Sequence, residues 1–188
     1  MSTDTILSEG DFLKWASERL GELKSLTVVS HTPIFIQYEE HAGKAEPYLR
    51  ALRTLWDSGK IPLTYYMPKR EILSRVSRLQ TFAEEIRSVA SAFRITNPNV
   101  RAVVVPDTEF PLNSFWVAED QDGSPYTFMK IPYQESQGSA AHPPIWLGFR
   151  LKLPIISDLI RLMDRSGVPL NTFLDGVKED LVEGSKVE

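Results

Sequence analysis

The chain has 188 residues, 42% hydrophobic and 24% charged, with a net charge of −4 and no cysteine. That is enough chain for one well-buried core, and the composition is globular rather than disordered. Without cysteine there are no disulfides, thiolate nucleophiles or cysteine-ligated metal centres, and the acidic balance argues against direct nucleic-acid binding.

The first residues, MSTDTILSEGDF, carry no apolar core of signal-peptide length. No apolar run approaches the roughly 20 residues that cross a bilayer. A soluble, cytoplasmic protein with no membrane contact is expected.

Ser8 with Asp11 three residues on forms a helix-start pattern, and Leu13, Ala16, Leu20 and Leu23 follow at helical spacing. Leu26 to Ser30 reads as a buried strand, closed by His31-Thr32-Pro33, with a short extended piece from Ile34 to Gln37. Glu39 to Lys44 is a polar loop. Pro47 suits the first turn of a second helix, whose apolar face is Tyr48, Leu49, Leu52, Leu55 and Trp56, and Gly59 stops it. Ile61 to Tyr66 is the next strand, completing a βαβ unit with parallel strands.

Pro68 is expected to open the longest helix, which runs to Phe93 with a seam of Ile72, Val76, Leu79, Ala83, Ile86, Ala90 and Phe93. After the turn at Asn97-Pro98, Val100 to Val105 gives a second parallel βαβ unit. Ser114 to Ala118 and Tyr126 to Ile131 form a hairpin around Asp122-Gly123. Tyr133 to Pro144 is a loop, Ile145 to Leu151 the last strand, Pro154 to Ser166 a helix ending at Gly167, and Leu170 to Val182 another. The expected fold is therefore α/β: a central mixed sheet with N-terminal parallel βαβ units, a long helix, a C-terminal β-hairpin and closing helices. Residues 1–183 make one domain, and 184–188 a frayed tail.

Motifs that carry chemistry are sparse. No glycine-rich phosphate loop, no G-x-S-x-G elbow and no histidine pair at metal-ligand spacing occurs. No cofactor or metal is expected. Glu39-Glu40-His41 reads as solvated charge, and Glu84 and Glu85 with Arg78 and Arg87 as an ion-paired helix face. Ligands of open α/β sheets bind beyond the carboxyl ends of the strands. Three loops meet there: Ser30-His31-Thr32, Lys69-Arg70 at a helix start, and Asp107 with Glu109. His31, Lys69, Arg70 and Asp107 are thus the candidate ligand-binding residues, suited to a small anion. The plainer alternative is that Ser30, Thr32 and Asp107 only cap turns.

The order of elements resembles one half of the phospholipase D-like superfamily over residues 10–166. The likeness is carried by KSLTVVSHTP, YLRALRTLWDSGKIPLTYYMP and FPLNSFWVAED, followed by a hairpin and the helix IISDLIRLMDRSG. In that superfamily a strand with the signature H-x-K-x4-D ends in an Asp-containing turn. With the Asp placed on Asp120, the His position falls on Asn113 and the Lys position on Phe115. The resemblance then implies the fold without its chemistry, because Asn cannot act as the covalent nucleophile and Phe cannot hold a phosphate oxygen. No catalytic residue is assigned.

What is expected is a non-catalytic binding, sensor or adaptor domain, responsive to a ligand and part of a regulatory or multiprotein system. A hydrolase or transferase using His31, Lys69 and Asp107 on an anionic substrate is the alternative. A homodimer or a protein partner is expected from the length of the helical seam.

Overall fold

A computed structural model of the chain describes residues 5–32, 46–78, 95–131 and 144–184. Outside them fall the expected extended piece at 34–37, the expected loop at 39–44 with Glu39-Glu40-His41, the part of the expected long helix beyond residue 78 with Glu84, Glu85 and Arg87, most of the expected loop at 133–144 and residues 185–188 of the expected tail.

Strand β1 (Thr5–Ser8) leads directly into helix α1 (Glu9–Arg19). Ser8 is both the last strand residue and the helix cap: its Oγ accepts from the Asp11 N–H at 3.1 Å and donates to the Asp11 carboxylate at 2.6 Å. A 3-10 turn (Leu20–Glu22) precedes β2 (Ser25–Val29). Helix α2 (Glu46–Ser58) and β3 (Leu63–Pro68) complete the first βαβ unit. Helix α3 (Lys69–Arg78) and β4 (Val100–Val105) follow. Then come β5 (Phe115–Glu119), β6 (Pro125–Ile131), β7 (Ile145–Phe149), α4 (Pro154–Ser166), β8 (Val168–Pro169) and α5 (Leu170–Gly184).

The eight strands form one mixed sheet in the order β1-β7-β6-β5-β2-β3-β4-β8. β2, β3 and β4 are parallel neighbours, and every other pairing is antiparallel. The expected parallel βαβ units, hairpin and closing helices are all present. Three details differ from the sequence expectation. Pro68 is the final residue of β3, so α3 starts one residue later, at Lys69. Ile145–Phe149 is not the last strand, since β8 pairs with β4 after α4. β1 was not expected at all.

Side chains alternate across the sheet, as the two-residue strand period requires. Leu26, Val28, Leu63, Tyr65, Met67, Ala102, Val104, Trp116, Phe128 and Trp146 point to one side, where α1, α2 and Leu170 cover them. Val29, Tyr66, Val103, Val105 and Phe115 point to the other, against Ile156 and Met163 of α4. Both faces of the parallel strands are therefore buried, which explains why these strands are runs of β-branched and aromatic residues. Ile72, the first member of the long seam, is fully buried in the chain's own core. Among the described residues, no helix is long and apolar enough to cross a membrane.

Candidate functional site

Because β2, β3 and β4 run together and β5 runs against them, one edge of the sheet gathers the ends of β2, β3 and β4, the start of β5 and the end of β6. The pairing of β7 with β6 and β1 adds Trp146 and the β1–α1 junction. A cavity of about 250 Å³ opens at this edge. Its walls include Glu9 and Phe12 of α1, Ser30, His31 and Thr32 after β2, Asn113 and Ser114 before β5, and Lys130 of β6 beside Trp146.

The polar groups of the β2 end are held in place. Ser30 Oγ donates to the Thr32 carbonyl at 2.9 Å, and Tyr65 Oη donates to the same oxygen at 3.1 Å. The His31 backbone N–H donates to Ser114 Oγ at 3.2 Å. The His31 ring lies edge-on to Phe110, and its Nε2 sits 2.9 Å from the Leu112 carbonyl. A carbonyl can only accept, so Nε2 carries the proton and Nδ1 is the basic nitrogen of the neutral ring. The Leu112 carbonyl thus holds the ring, and among the described residues no carboxylate bonds to it.

Across the cavity, Lys130 Nζ is 2.7 Å from Glu9 Oε1, with both side chains about one-third exposed at 33% and 35%. The same ammonium lies 5.9 Å from the centre of the Trp146 ring. The buried indole N–H of Trp146 has no hydrogen-bond partner among the described residues. Burial, and secondarily the neighbouring Tyr65, pushes the phenol of Tyr48, also on the cavity wall, well above its ordinary range, so that phenol stays neutral.

The sequence candidates are distributed over this edge. His31 and Asn113 share the cavity wall. Lys69 is the exposed first residue of α3, one strand away and outside the cavity lining. Arg70 and Asp107 come together there too: the Arg70 backbone N–H donates to Asp107 Oδ1 at 3.2 Å, and the guanidinium Nε is 3.9 Å from the same oxygen. Phe115 points away from the cavity and is buried beside Val29 and Tyr66. Asp120 lies at the far end of β5, where it closes the hairpin turn. Its Oδ1 accepts from the Gln121 N–H at 2.7 Å, and its carbonyl accepts from the Gly123 N–H at 3.0 Å. Lys130 and Glu9 were not singled out from the sequence, whereas Trp146 has the core-compatible position that its pattern suggests. A lysine at the end of a strand pointing to a helix-covered face was the one available signal. Among the described residues no group of three or more His, Asp or Glu could hold a metal ion.

Fold and site together define an α/β domain with a small polar cavity at the strand ends of a mixed sheet. No family model matches the chain, and no curated protein matches it. Several solved structures are similar in fold, two of which follow. One is a phospholipase D family member, Nuc from Salmonella typhimurium, at 11% identity and a TM-score of 0.46, with 90% of this chain and 97% of that chain covered. The other is NucT from Helicobacter pylori, at 10% identity and a TM-score of 0.48, with 90% of this chain and 100% of that chain covered.

Proposed function

We propose that this chain is a non-catalytic binding domain, a sensor or adaptor whose strand-end cavity takes a small anionic ligand. The observation that carries the reading is the side chain at position 113. An amide, not a nucleophile, stands on the cavity wall, while the neighbouring signature position, Phe115, is turned into the opposite core. The polar groups that remain can recognise a ligand: His31 with a fixed tautomer, the hydroxyls of Ser30 and Ser114, and the Asn113 amide. Lys69 and Arg70, at the start of a helix on the same edge, add positive charge to its surroundings. Asp107 contributes by holding that helix start.

Hydrolase or transferase chemistry through His31, Lys69 and Asp107 is the competing reading. It needs His31, Lys69 and Asp107 at one site, whereas His31 lines the cavity without the other two, and Asp107 accepts from the Arg70 N–H at the start of α3. Native mass spectrometry of the purified protein tests the binding reading, with inorganic phosphate and a panel of small carboxylates and phosphate esters added. A retained anion whose binding weakens in His31→Ala supports it. Turnover of any ester in the panel would establish the competing reading.

The domain acts with a second copy of itself, a reading that rests on the length of the apolar seam expected from the sequence beyond Ile72, since Ile72 itself is buried in the chain's own core. Light scattering that returned a strict monomer at micromolar concentration and above would end that part of the proposal.

A further inference from the structure

We infer that Lys130 is the group on which an anion lands in this cavity, and that Glu9 occupies Lys130 while the ligand is away. This rests on the anion-binding reading above and assigns it a residue. The partners lie 121 positions apart in sequence and meet only because α1 packs across β6 and β7 at the cavity wall. The Lys130 ammonium is one-third exposed and lies 5.9 Å from the centre of the Trp146 ring, which also favours a cation there. The Glu9 carboxylate neutralises it at 2.7 Å.

Glu9 has no other bonded partner among the described residues. It sits in the first turn of α1, one residue past the Ser8 cap, so it can release the lysine without unmaking the helix start. An incoming carboxylate or phosphate oxygen offers Lys130 the same charge-assisted bond. On the same wall lie the Asn113 amide and the hydroxyls of Ser30 and Ser114, which are held by the Thr32 carbonyl and the His31 N–H. The buried indole N–H of Trp146 has no hydrogen-bond partner among the described residues. Binding is therefore an exchange of one anion for another on a fixed cation, and the affinity is set partly by how tightly Glu9 holds it.

Titration calorimetry with inorganic phosphate, and separately with sulfate, tests this on the full chain and on Glu9→Gln, Lys130→Met, Lys130→Arg and the Glu9→Gln/Lys130→Met double variant. A partly exposed ion pair is worth up to about 1 kcal/mol, so removing the competitor should tighten phosphate binding by up to about fivefold. Lys130→Met should lose binding in either background, and Lys130→Arg should keep it. Equal phosphate affinity in the full chain, Glu9→Gln and Lys130→Met would overturn the role of Lys130 while leaving the anion site standing. No binding of either anion by Glu9→Gln, the variant with its counter-ion removed, would overturn the anion site itself. Should Lys130→Met fail to fold, Glu9→Gln remains decisive, since unchanged or weaker binding there refutes the exchange.

Discussion

The Tyr66 hydroxyl donates to Asp164 Oδ1 at 2.5 Å, fastening α4 to the sheet, and Arg101 Nη1 donates to the same oxygen at 2.7 Å. Burial raises the Tyr66 phenol above its ordinary range, the Asp164 carboxylate raises it further, and Arg101 opposes both. Burial raises Tyr65 in the same direction.

Alkaline stability follows from these shifts. A group whose pKa is higher folded than unfolded keeps its full contribution below the unfolded value, about 10 for tyrosine, and loses it as the pH climbs toward the folded value. Stability should be level up to about pH 10 and then fall, because the unfolded chain releases the protons first. Tyr66→Phe should flatten that fall by up to about 1.4 kcal/mol per pH unit. It should also cost about 1 kcal/mol at neutral pH through the lost hydrogen bond. Urea unfolding from about pH 8 to about pH 11 checks both, and identical slopes for the two proteins would refute the assignment.

Gly59 ends α2 with φ +53°, and a Cβ there would lie 2.1 Å from the Asn97 side chain. Asn97 is where it is because its Nδ2 donates to the Ser58 carbonyl at 2.9 Å, satisfying a group left open at the helix end. Gly59→Ala therefore meets both a left-handed backbone and a steric block. A loss of more than about 1 kcal/mol is expected in chemical denaturation. Adding Asn97→Ala should recover part of it by clearing the clash, and strictly additive losses would show that the backbone alone is responsible.

The same elements show what was legible beforehand. β2, β3 and β4 are buried on both faces, so their apolar runs announced themselves, as did the glycine stop at Gly59 and the Asp122-Gly123 turn. β1 has four residues and β8 two, and each exists only through pairing, with β7 and β4 respectively. No local pattern encodes a strand that short. Pro68 looked like a helix start because its fixed φ suits one, yet it also fits the last position of a strand, where no further ladder N–H is required. The grouping of strand-end loops at one edge followed from parallel order alone, so His31 was found. The Glu9–Lys130 contact was not, because it depends on where α1 lies across β6 and β7.

Catalytic silence toward phosphodiesters is expected from position 113. A phosphodiester entering the cavity would meet the Asn113 amide, which can hydrogen-bond an oxygen but cannot attack phosphorus. Generic phosphodiester and phospholipid substrates should turn over at background rate, equally in the full chain and in Asn113→Ala. Hydrolysis that disappears in the variant would sink this expectation. So would hydrolysis dependent on His31, the imidazole of the same wall.

The start of α3 separates a structural role from a binding role within three neighbouring residues. Pro68, which precedes the helix, has no side-chain oxygen to accept from the first N–H groups. Asp107, arriving from the end of β4, does so in its place through the Arg70 N–H at 3.2 Å. That bond is to the backbone, so it survives truncation of the Arg70 side chain. The guanidinium itself is about two-thirds exposed, at 64%, and its contacts with Glu71 and Asp107 are long, at 3.5 and 3.9 Å. Exposed ion pairs of this kind contribute little. Lys69→Ala/Arg70→Ala should therefore shift stability by less than about 0.5 kcal/mol, whereas Asp107→Ala should cost about 1 kcal/mol, as loss of a helix cap does. Anion binding should divide the other way. The double variant removes two positive charges from the cavity's edge, so phosphate affinity should fall, and the difference from the parent should shrink as salt shortens the Debye length below about 10 Å. Thermal melts and phosphate titrations at two salt concentrations check both halves. A double variant that unfolds would make Lys69 and Arg70 structural, and one that binds phosphate as the parent does would remove them from the ligand's surroundings.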